Sequence, residues 1–326
     1  MKAVVITKPG GPEVLEVSEV PAPRVGAQQI LVRVSASAVN RADLLQRRGL
    51  YPAPSGFPQD IPGLEYAGVV DQVGTEATRW HTGDRVMGLV GGGAYAEYVV
   101  VHEDEAMRVP DAWSLEQAAA VPEAYLTAHD ALFTRMQLRA GETVLVHAIA
   151  SGVGTAALQL VLAAGGHVIG TSRNGWKLDQ LKSHGLTHGI DVSQKDFAEE
   201  VQRITDGAGV NGVLDLVGGD YLAGNLKSLA MLGRIVLVGL TAGRTAEIDL
   251  NAMLRKRVTM IGTVMRTRSL AEKIETVRAF EATARDWLES GAVSPVIDRV
   301  FSMAQAAQAH QRVEENANVG KVVLSW

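Results

Sequence analysis

An apolar strand that breaks into a short small-residue turn and then into an apolar helix constrains this chain more than any other stretch. Thr143-Val144-Leu145-Val146 reads as the strand, and Thr155-Ala156-Ala157-Leu158-Gln159-Leu160-Val161-Leu162 as the helix. Between them lies His147-Ala148-Ile149-Ala150-Ser151-Gly152-Val153-Gly154. Such a crossing leaves backbone N–H groups open at the head of the helix, where the positive end of its dipole also lies, and so forms a seat for a pyrophosphate. The usual dinucleotide fingerprint is G-x-G-x-x-G. Here Ile149 and Ser151 stand at its first two glycine positions and only Gly154 is kept. Small Ala150, Ser151 and Gly152 still let backbone approach a phosphate, and Gly154 allows helix to pack closely on strand. An ordinary strand–turn–helix in a parallel sheet carries the same local pattern, so both readings stand on these residues alone.

The surroundings favour a large α/β domain. From about residue 123, strands alternate with amphipathic segments, with strands near Val144–Val146, Val168–Gly170, Gly189–Asp191, Val213–Leu216, Ile235–Val238 and Thr259–Val264. Helices are expected between them, for instance Lys177–Ser183 and Phe197–Ile204. Six strands with intervening helices is the arithmetic of a doubly wound Rossmann sheet. Residues 1 to about 122 differ: short strands such as Ile30–Val34, Ala67–Val70, Arg85–Val90 and Ala96–Val101 are broken by Gly and Pro, which suits an all-β, barrel-like module. After about 266 come a long helical stretch, Leu270–Ser290, a strand at Val296–Val300, a helix around Ala304–Glu315 and a last strand, Gly320–Leu324. These have no place in a completed Rossmann sheet, so they are expected to return to the first domain. The expected division is therefore 1–122, 123–265 and 266–326.

Composition removes several function classes. The 326 residues contain no cysteine, which excludes disulfides, thiolate catalysis and thiolate zinc sites. A net charge of −5 disfavours nucleic acid as a partner. No run of 18 or more apolar residues lacks a charge, so no membrane span is expected. The start, Met1-Lys2-Ala3-Val4-Val5-Ile6, runs into a strand rather than a signal peptide, and a cytoplasmic location is the expectation. No Ser/His/Asp arrangement supports hydrolysis. His147 ends a sheet strand and His129 and His310 lie in helical segments, so all three read as structural.

The end of the second Rossmann strand bears on the nucleotide. NAD sites place Asp or Glu there for the ribose 2′-OH, whereas NADP sites supply cations for the 2′-phosphate. This chain reads Thr171-Ser172-Arg173-Asn174-Gly175-Trp176-Lys177, with no carboxylate before Asp179. Arg173 can fork two N–H bonds onto a phosphate and Lys177 can add a point charge one turn on, which points to NADPH. Both residues are also what an ordinary solvated surface would carry.

Several segments together resemble a known family. Lys8-Pro9-Gly10-Gly11-Pro12-Glu13, Ala38-Val39-Asn40-Arg41-Ala42-Asp43-Leu44, Pro62-Gly63-Leu64-Glu65, Ala119-Ala120-Val121-Pro122-Glu123-Ala124 and Ser151-Gly152-Val153-Gly154-Thr155-Ala156 occur in order, continuing through Ala309-His310 to Gly320-Lys321-Val322-Val323-Leu324. The chain resembles the zinc-free, zeta-crystallin-like quinone oxidoreductases of the medium-chain dehydrogenase/reductase superfamily, above all the tumour-suppressor-induced quinone oxidoreductase type. The resemblance implies a GroES-like β-barrel catalytic domain with a Rossmann domain inserted before the C-terminal return, and NADPH-dependent reduction of a quinone. It also implies a homodimer, with Val258–Val264 as the pairing edge. The family's phosphate loop is A-x-x-G-x-x-G; here Ser151 replaces the middle glycine. In zinc-dependent members a Gly-His-Glu motif supplies a ligand. Leu64 takes the His place, Asn40 lies where a Cys would be, and Glu65 alone cannot hold a tetrahedral site, so no metal is expected.

Quinone reduction asks the protein to bring nicotinamide and acceptor face to face, exclude water and offer a donor to the carbonyl oxygen. Tyr51, in the proline-stiffened loop Gly49-Leu50-Tyr51-Pro52-Ala53-Pro54, is the first candidate donor. Asn40 is the second, as a carboxamide that orients nicotinamide or substrate; a helix N-cap is its alternative role. Asp43 could bond to this cluster. For the cofactor, the phosphate loop offers Ser151, Gly152, Val153 and Gly154, and the second strand Ser172, Arg173 and Lys177. The resemblance adds Thr127 near the nicotinamide ribose, then Val217, Gly239 and Leu240, and a strand Val264-Met265-Arg266 along the nicotinamide. Asn316 falls where relatives carry an arginine toward the 2′-phosphate. Two rivals remain: an enone or enoyl reductase using the same hydride geometry, and a non-catalytic NADPH-binding protein with an RNA-binding or redox-sensing role.

Overall fold

The computed structural model describes residues Met1–Trp326, which divide into two compact units: Met1–Leu126 with Met265–Trp326, and Thr127–Val264. The first unit opens with β1 (Lys2–Ile6) and β2 (Leu15–Glu19), an antiparallel pair, followed by β3 (Gln29–Val39) and α1 (Arg41–Arg47). Next come β4 (Glu65–Val73), β5 (Arg85–Leu89), β6 (Tyr98–His102), β7 (Ala106–Arg108), α2 (Leu115–Ala119) and α3 (Pro122–His129). The second unit holds β8 (Thr143–Val146), α4 (Gly152–Ala163), β9 (His167–Ser172), α5 (Gly175–Leu181), β10 (His188–Asp191), α6 (Phe197–Ile204), β11 (Val210–Asp215), α7 (Tyr221–Ser228), β12 (Leu229–Leu237), α8 (Leu250–Lys256) and β13 (Thr259–Gly262). The chain then supplies the first unit with α9 (Leu270–Glu289), β14 (Ile297–Ser302), α10 (Ala306–Glu314) and β15 (Lys321–Ser325).

The large sheet of the first unit is ordered β14-β15-β3-β4-β5-β7, with β6 also on β3. One edge of the long strand β3 runs along β4, and register shifts at Leu31/Val32 and Val34/Ala36 kink that pairing. Its other edge is shared: Gln29–Arg33 pair with β6, while Ala36–Val39 pair with β15. Such bulges bend and twist a sheet toward barrel-like closure. The C-terminal strand is thus built into the middle of the first unit, as the expected return requires.

The second unit is a six-stranded parallel sheet ordered β10-β9-β8-β11-β12-β13. Ile169, Leu145, Val213 and Ile235 stand side by side across four adjacent strands and are all buried, the apolar row that a sheet covered on both faces demands. The strand order reverses between β8 and β11, and in open α/β sheets the crevice beyond the strand ends at such a reversal is where ligands bind.

Two expected boundaries move. The first division falls at Leu126/Thr127 rather than 122/123, because α3 runs unbroken across it while its start is tied to the first unit: the Glu123 amide donates to Glu65 (2.8 Å) and the Tyr125 hydroxyl to the Ser294 carbonyl (2.9 Å). The second falls at Val264/Met265 rather than 265/266. The expected strand through Val264, Met265 and Arg266 is absent. β13 stops at Gly262, and the Arg268 amide bonds the Met265 carbonyl (3.2 Å) to close a turn. No helix is long and apolar enough to cross a membrane.

Candidate active site

In the second unit the turn after β8 is built as its sequence suggests. Ser151 N-caps α4, its hydroxyl accepting the Gly154 amide at 3.0 Å. A Cβ on Gly154 would sit 2.5 Å from the carbonyl oxygens of both Ala148 and Ile149, so only glycine lets the helix come this close to the loop. Ser151, in turn, does what its family's middle glycine does not: it caps the helix with a side chain. The amides of Gly152 and Val153 open the helix ahead of its first intrahelical acceptor.

Three strand ends around this turn are tied together by His147. Its Nε2–H donates to Asn225 Oδ1 (2.6 Å), because the Asn225 amide nitrogen is committed to Asp215 (2.9 Å). Its Nδ1 therefore accepts from the Thr171 hydroxyl (2.9 Å). Burial lowers the His147 pKa, which keeps the ring neutral as this pattern requires. Asp215 accepts the Val217 and Gly218 amides at 2.8 and 2.9 Å, fixing the turn after β11. His147 is structural, as its sequence context suggests, through side chains on β9 and α7. Arg173, at the end of β9, is exposed. Lys177 is buried on the face of α5 that also carries Leu178 and Leu181, its Nζ 5.4 Å from the Trp176 ring centre, so Arg173 is the exposed cation of the two. Val217 and Gly239 are partly buried at the ends of β11 and β12, and Leu240 and Val264 are half-exposed. Thr127 is buried, and its hydroxyl oxygen has no hydrogen-bond partner. A buried orphan hydroxyl costs about 1–3 kcal/mol, and a bound ribose hydroxyl would relieve that cost.

In the first unit, a buried ion cluster surrounds Asn40. Lys321, from β15, places its ammonium 2.6 Å from both Glu65 Oε1 and Asn40 Oδ1. The Asn40 amide nitrogen donates to the same Glu65 oxygen (2.7 Å), and the other Glu65 oxygen accepts the Glu123 amide at the head of α3. Asp43 accepts the amides of Asn40 (2.8 Å) and Gly63 (3.0 Å). Gly63 has a φ of +102°, and a Cβ there would lie 2.5 Å from the Tyr95 ring, so the amide reaches Asp43 only because the residue is glycine. Burial pushes the Asp43 carboxyl up to about 6 against these donors. Beneath it, Arg47 donates to His310 Nδ1 (3.4 Å) and His310 Nε2 bonds the Tyr95 hydroxyl (3.1 Å); burial holds His310 neutral, down at about 3. Asn40 is the N-cap residue of α1, yet its carboxamide is turned to Lys321 and Glu65.

Tyr51 is held by Arg266. The guanidinium donates to the Tyr51 carbonyl (3.0 Å), the Gly91 carbonyl (2.9 Å) and Gln46 Oε1 (2.5 Å), and lies 4.8 Å from the Tyr51 ring centre. Burial raises the Tyr51 pKa, with Arg266 opposing, so the phenol keeps its proton. The Arg266 side chain, expected beside nicotinamide, is thus spent on the loop that carries Tyr51, while Asn316 accepts from Arg41 (2.8 Å).

Two family models match the chain. One, described as the alcohol dehydrogenase GroES-like domain, covers residues 26–111, and the other, described as zinc-binding dehydrogenase, covers 152–282. A quinone oxidoreductase of Pseudomonas aeruginosa is 36% identical over 320 residues, spanning 97% of this chain and 96% of that protein. The chain belongs to the medium-chain dehydrogenase/reductase family, in its quinone oxidoreductase branch. Among solved structures of this family, the quinone oxidoreductase of Pseudomonas syringae pv. Tomato superposes with a TM-score of 0.89 at 33% identity, covering 100% of this chain and 99% of that one. A mycobacterial protein complexed with NADPH gives 0.88 at 31% identity, covering 100% of both chains. CurK enoyl reductase gives 0.86 at 26%, covering 99% of this chain and 98% of that one. As a medium-chain dehydrogenase/reductase the protein is an oxidoreductase with a GroES-like and a Rossmann domain.

The metal in the second family description does not fit these residues. Leu64 offers no donor atom, Asn40 gives its amide oxygen to Lys321, and both Glu65 oxygens are taken by Lys321, Asn40 and the Glu123 amide. An ammonium stands where a cation would have to bind, and no group of three or more His, Asp or Glu side chains is arranged to hold a metal. Sequence reading singled out Tyr51, Asn40 and the phosphate loop but passed over Lys321, Glu123 and Asp215. Their one signal was a charge within an otherwise apolar stretch, as in Gly320-Lys321-Val322-Val323-Leu324.

Proposed function

We propose that the protein is a cytoplasmic, NADPH-dependent quinone oxidoreductase that works without a metal. The observation that carries this reading is the closure of Glu65 by Lys321 and Asn40, which leaves no ligand set for a Lewis acid. Acceptors must then be electrophilic on their own account, as conjugated diketones are. When bound, the nicotinamide nucleotide supplies the hydride. The amides of Gly152 and Val153 with Ser151 would seat its pyrophosphate, the Thr127 hydroxyl its ribose, and Arg173 its 2′-phosphate. Tyr51 would donate a hydrogen bond to the acceptor oxygen as negative charge builds there, with Arg266 holding the ring in place.

The test is turnover of ortho- and para-quinones with NADPH and with NADH. Arg173→Glu is expected to raise the KM for NADPH by about ten- to a hundredfold, the worth of a charge-assisted hydrogen bond, while leaving that for NADH nearly unchanged. Equal loss with both nucleotides would remove Arg173 from the 2′-phosphate site. The likeness to CurK enoyl reductase supports a second reading, reduction of a conjugated C=C. An α,β-unsaturated ketone turned over where quinones are not would establish it.

We also propose a homodimer paired through β13. This strand ends the parallel sheet, with Met260 43% exposed on it and Leu250 and Leu254 68% and 75% exposed one turn apart on α8. An open strand edge flanked by apolar side chains fits a second copy of itself across a two-fold axis. Leu254→Glu is expected to halve the mass seen in light scattering; an unchanged mass would place the contact elsewhere.

A further inference from the structure

Three carboxyl groups meet near one ammonium in the first unit, and they are not equally provided for. Glu65 receives three hydrogen bonds, from Lys321, Asn40 and the Glu123 amide. Asp43 receives two backbone amides. The Glu123 carboxyl receives none: only its backbone takes part in the network. It is also the one of the three that retains some exposure, the other two being fully buried. Donors stabilise a carboxylate, so of the three the group without donors is the one that keeps a proton. Around it stand Glu65 on β4, Asp43 on α1, Lys321 on β15, and Arg266 ahead of α9. Tyr51 feels its charge as well.

Taking the proposed reduction as given, we propose that Glu123 holds the proton that the acceptor takes up when it is reduced. Hydride addition delivers two electrons to the acceptor and leaves an oxyanion, while the dihydronicotinamide is oxidised to its cation. The oxyanion becomes a hydroxyl by taking one proton from the site. Tyr51, whose phenol feels the Glu123 charge, would hand that proton on, and Glu123 would restore it by breaking its own O–H bond. The resulting Glu123 carboxylate is recharged from solvent through its exposed side. Lys321 and Arg266 make that carboxylate tolerable between turnovers. Burial and the neighbouring Glu65 push the Glu123 carboxyl up to about 7, which suits a group that must both lose and regain a proton near neutrality. Glu123 supplies the proton through Tyr51 and so acts as a proton-holding rather than an acceptor-binding residue.

The experiment is infrared titration of the unliganded protein, with turnover measured alongside. The expected result is a protonated-carboxyl band that disappears near pH 7, distinct from that of Asp43 near 6, and that is absent from Glu123→Gln. That variant, with its fold checked by circular dichroism, is expected to bind NADPH normally, turn over on the order of ten- to a hundredfold more slowly and lose the alkaline limb of its pH–rate profile. Glu123→Asp should keep a band with a displaced midpoint and recover part of the rate. A band disappearing near pH 7 that survives in Glu123→Gln, or an alkaline limb unchanged in both variants, overturns the assignment. Failure of the wild type to reduce any quinone while the band behaves as stated would sink the proposed activity and leave the proton on Glu123.

Discussion

Replacing Lys321 by methionine is expected to cost about 3–5 kcal/mol of stability, the penalty for leaving a buried carboxylate without its cation. Lys321 is 4% exposed and Glu65 is fully buried, with their charged atoms 2.6 Å apart. Methionine matches the length of the lysine stem, so packing changes little and the loss is electrostatic. A loss of this size approaches the total stability of many domains, about 5–15 kcal/mol. The control is the double variant Glu65→Gln with Lys321→Met, which removes the stranded charge and should recover most of the loss. Equilibrium urea unfolding of the wild type, both single variants and the double completes the cycle. A loss below about 1 kcal/mol for Lys321→Met, the worth of an exposed pair, would show that water reaches Glu65 and that the cluster is open.

A second large effect is expected in the response to acid. Burial holds His310 down at about 3, His129 at about 4, and His147 also below its ordinary value. A depressed histidine binds its proton in the unfolded chain first, so its share of stability is lost as pH falls below about 6.5 toward the folded value. The buried carboxyls run the other way. Asp43 is raised to about 6, Glu123 to about 7, and Glu105 is also raised, in each case mainly by burial. Their contribution is present at low pH and is lost as pH rises through those values. Between about pH 5 and 6, His310 and His129 on one side and Asp43 and Glu123 on the other oppose one another, and stability is expected to vary little there. Glu123→Gln removes one member of the second set. It should make stability fall with acid more steeply than in the wild type by about one proton, roughly 1.4 kcal/mol per pH unit. Thermal unfolding of both proteins across this range measures the difference, and parallel profiles would mean that Glu123 is already ionised.

How much of this was written in the chain depends on whether the signal is local. The parallel sheet was legible because most of its strands are short apolar runs alternating with helical segments, and all six appear where they are expected. The turn after β8 was legible for the same reason: Ser151 and Gly154 meet within one turn of each other. Lys321 and Glu65 were not, because they are 256 residues apart in sequence and become partners only once β15 lies on β3 and β3 on β4. Arg266 was expected on a strand along the nicotinamide because the family resemblance implies one there. Its guanidinium instead takes carbonyls from Gly91 and Tyr51, two loops that no periodicity connects to it. The domain boundary within α3 was misplaced because nothing in Pro122–His129 marks the point where the fold changes partner.

The place of β15 between β14 and β3 also bears on how the molecule is made. The nucleotide half is one uninterrupted stretch, Thr127–Val264, and can condense as soon as it clears the ribosome. The other half is synthesised in two instalments, and its central sheet stays split until β15 is made. A nascent chain stalled just short of Lys321 would carry a finished Rossmann fold beside an open strand edge and an unneutralised Glu65.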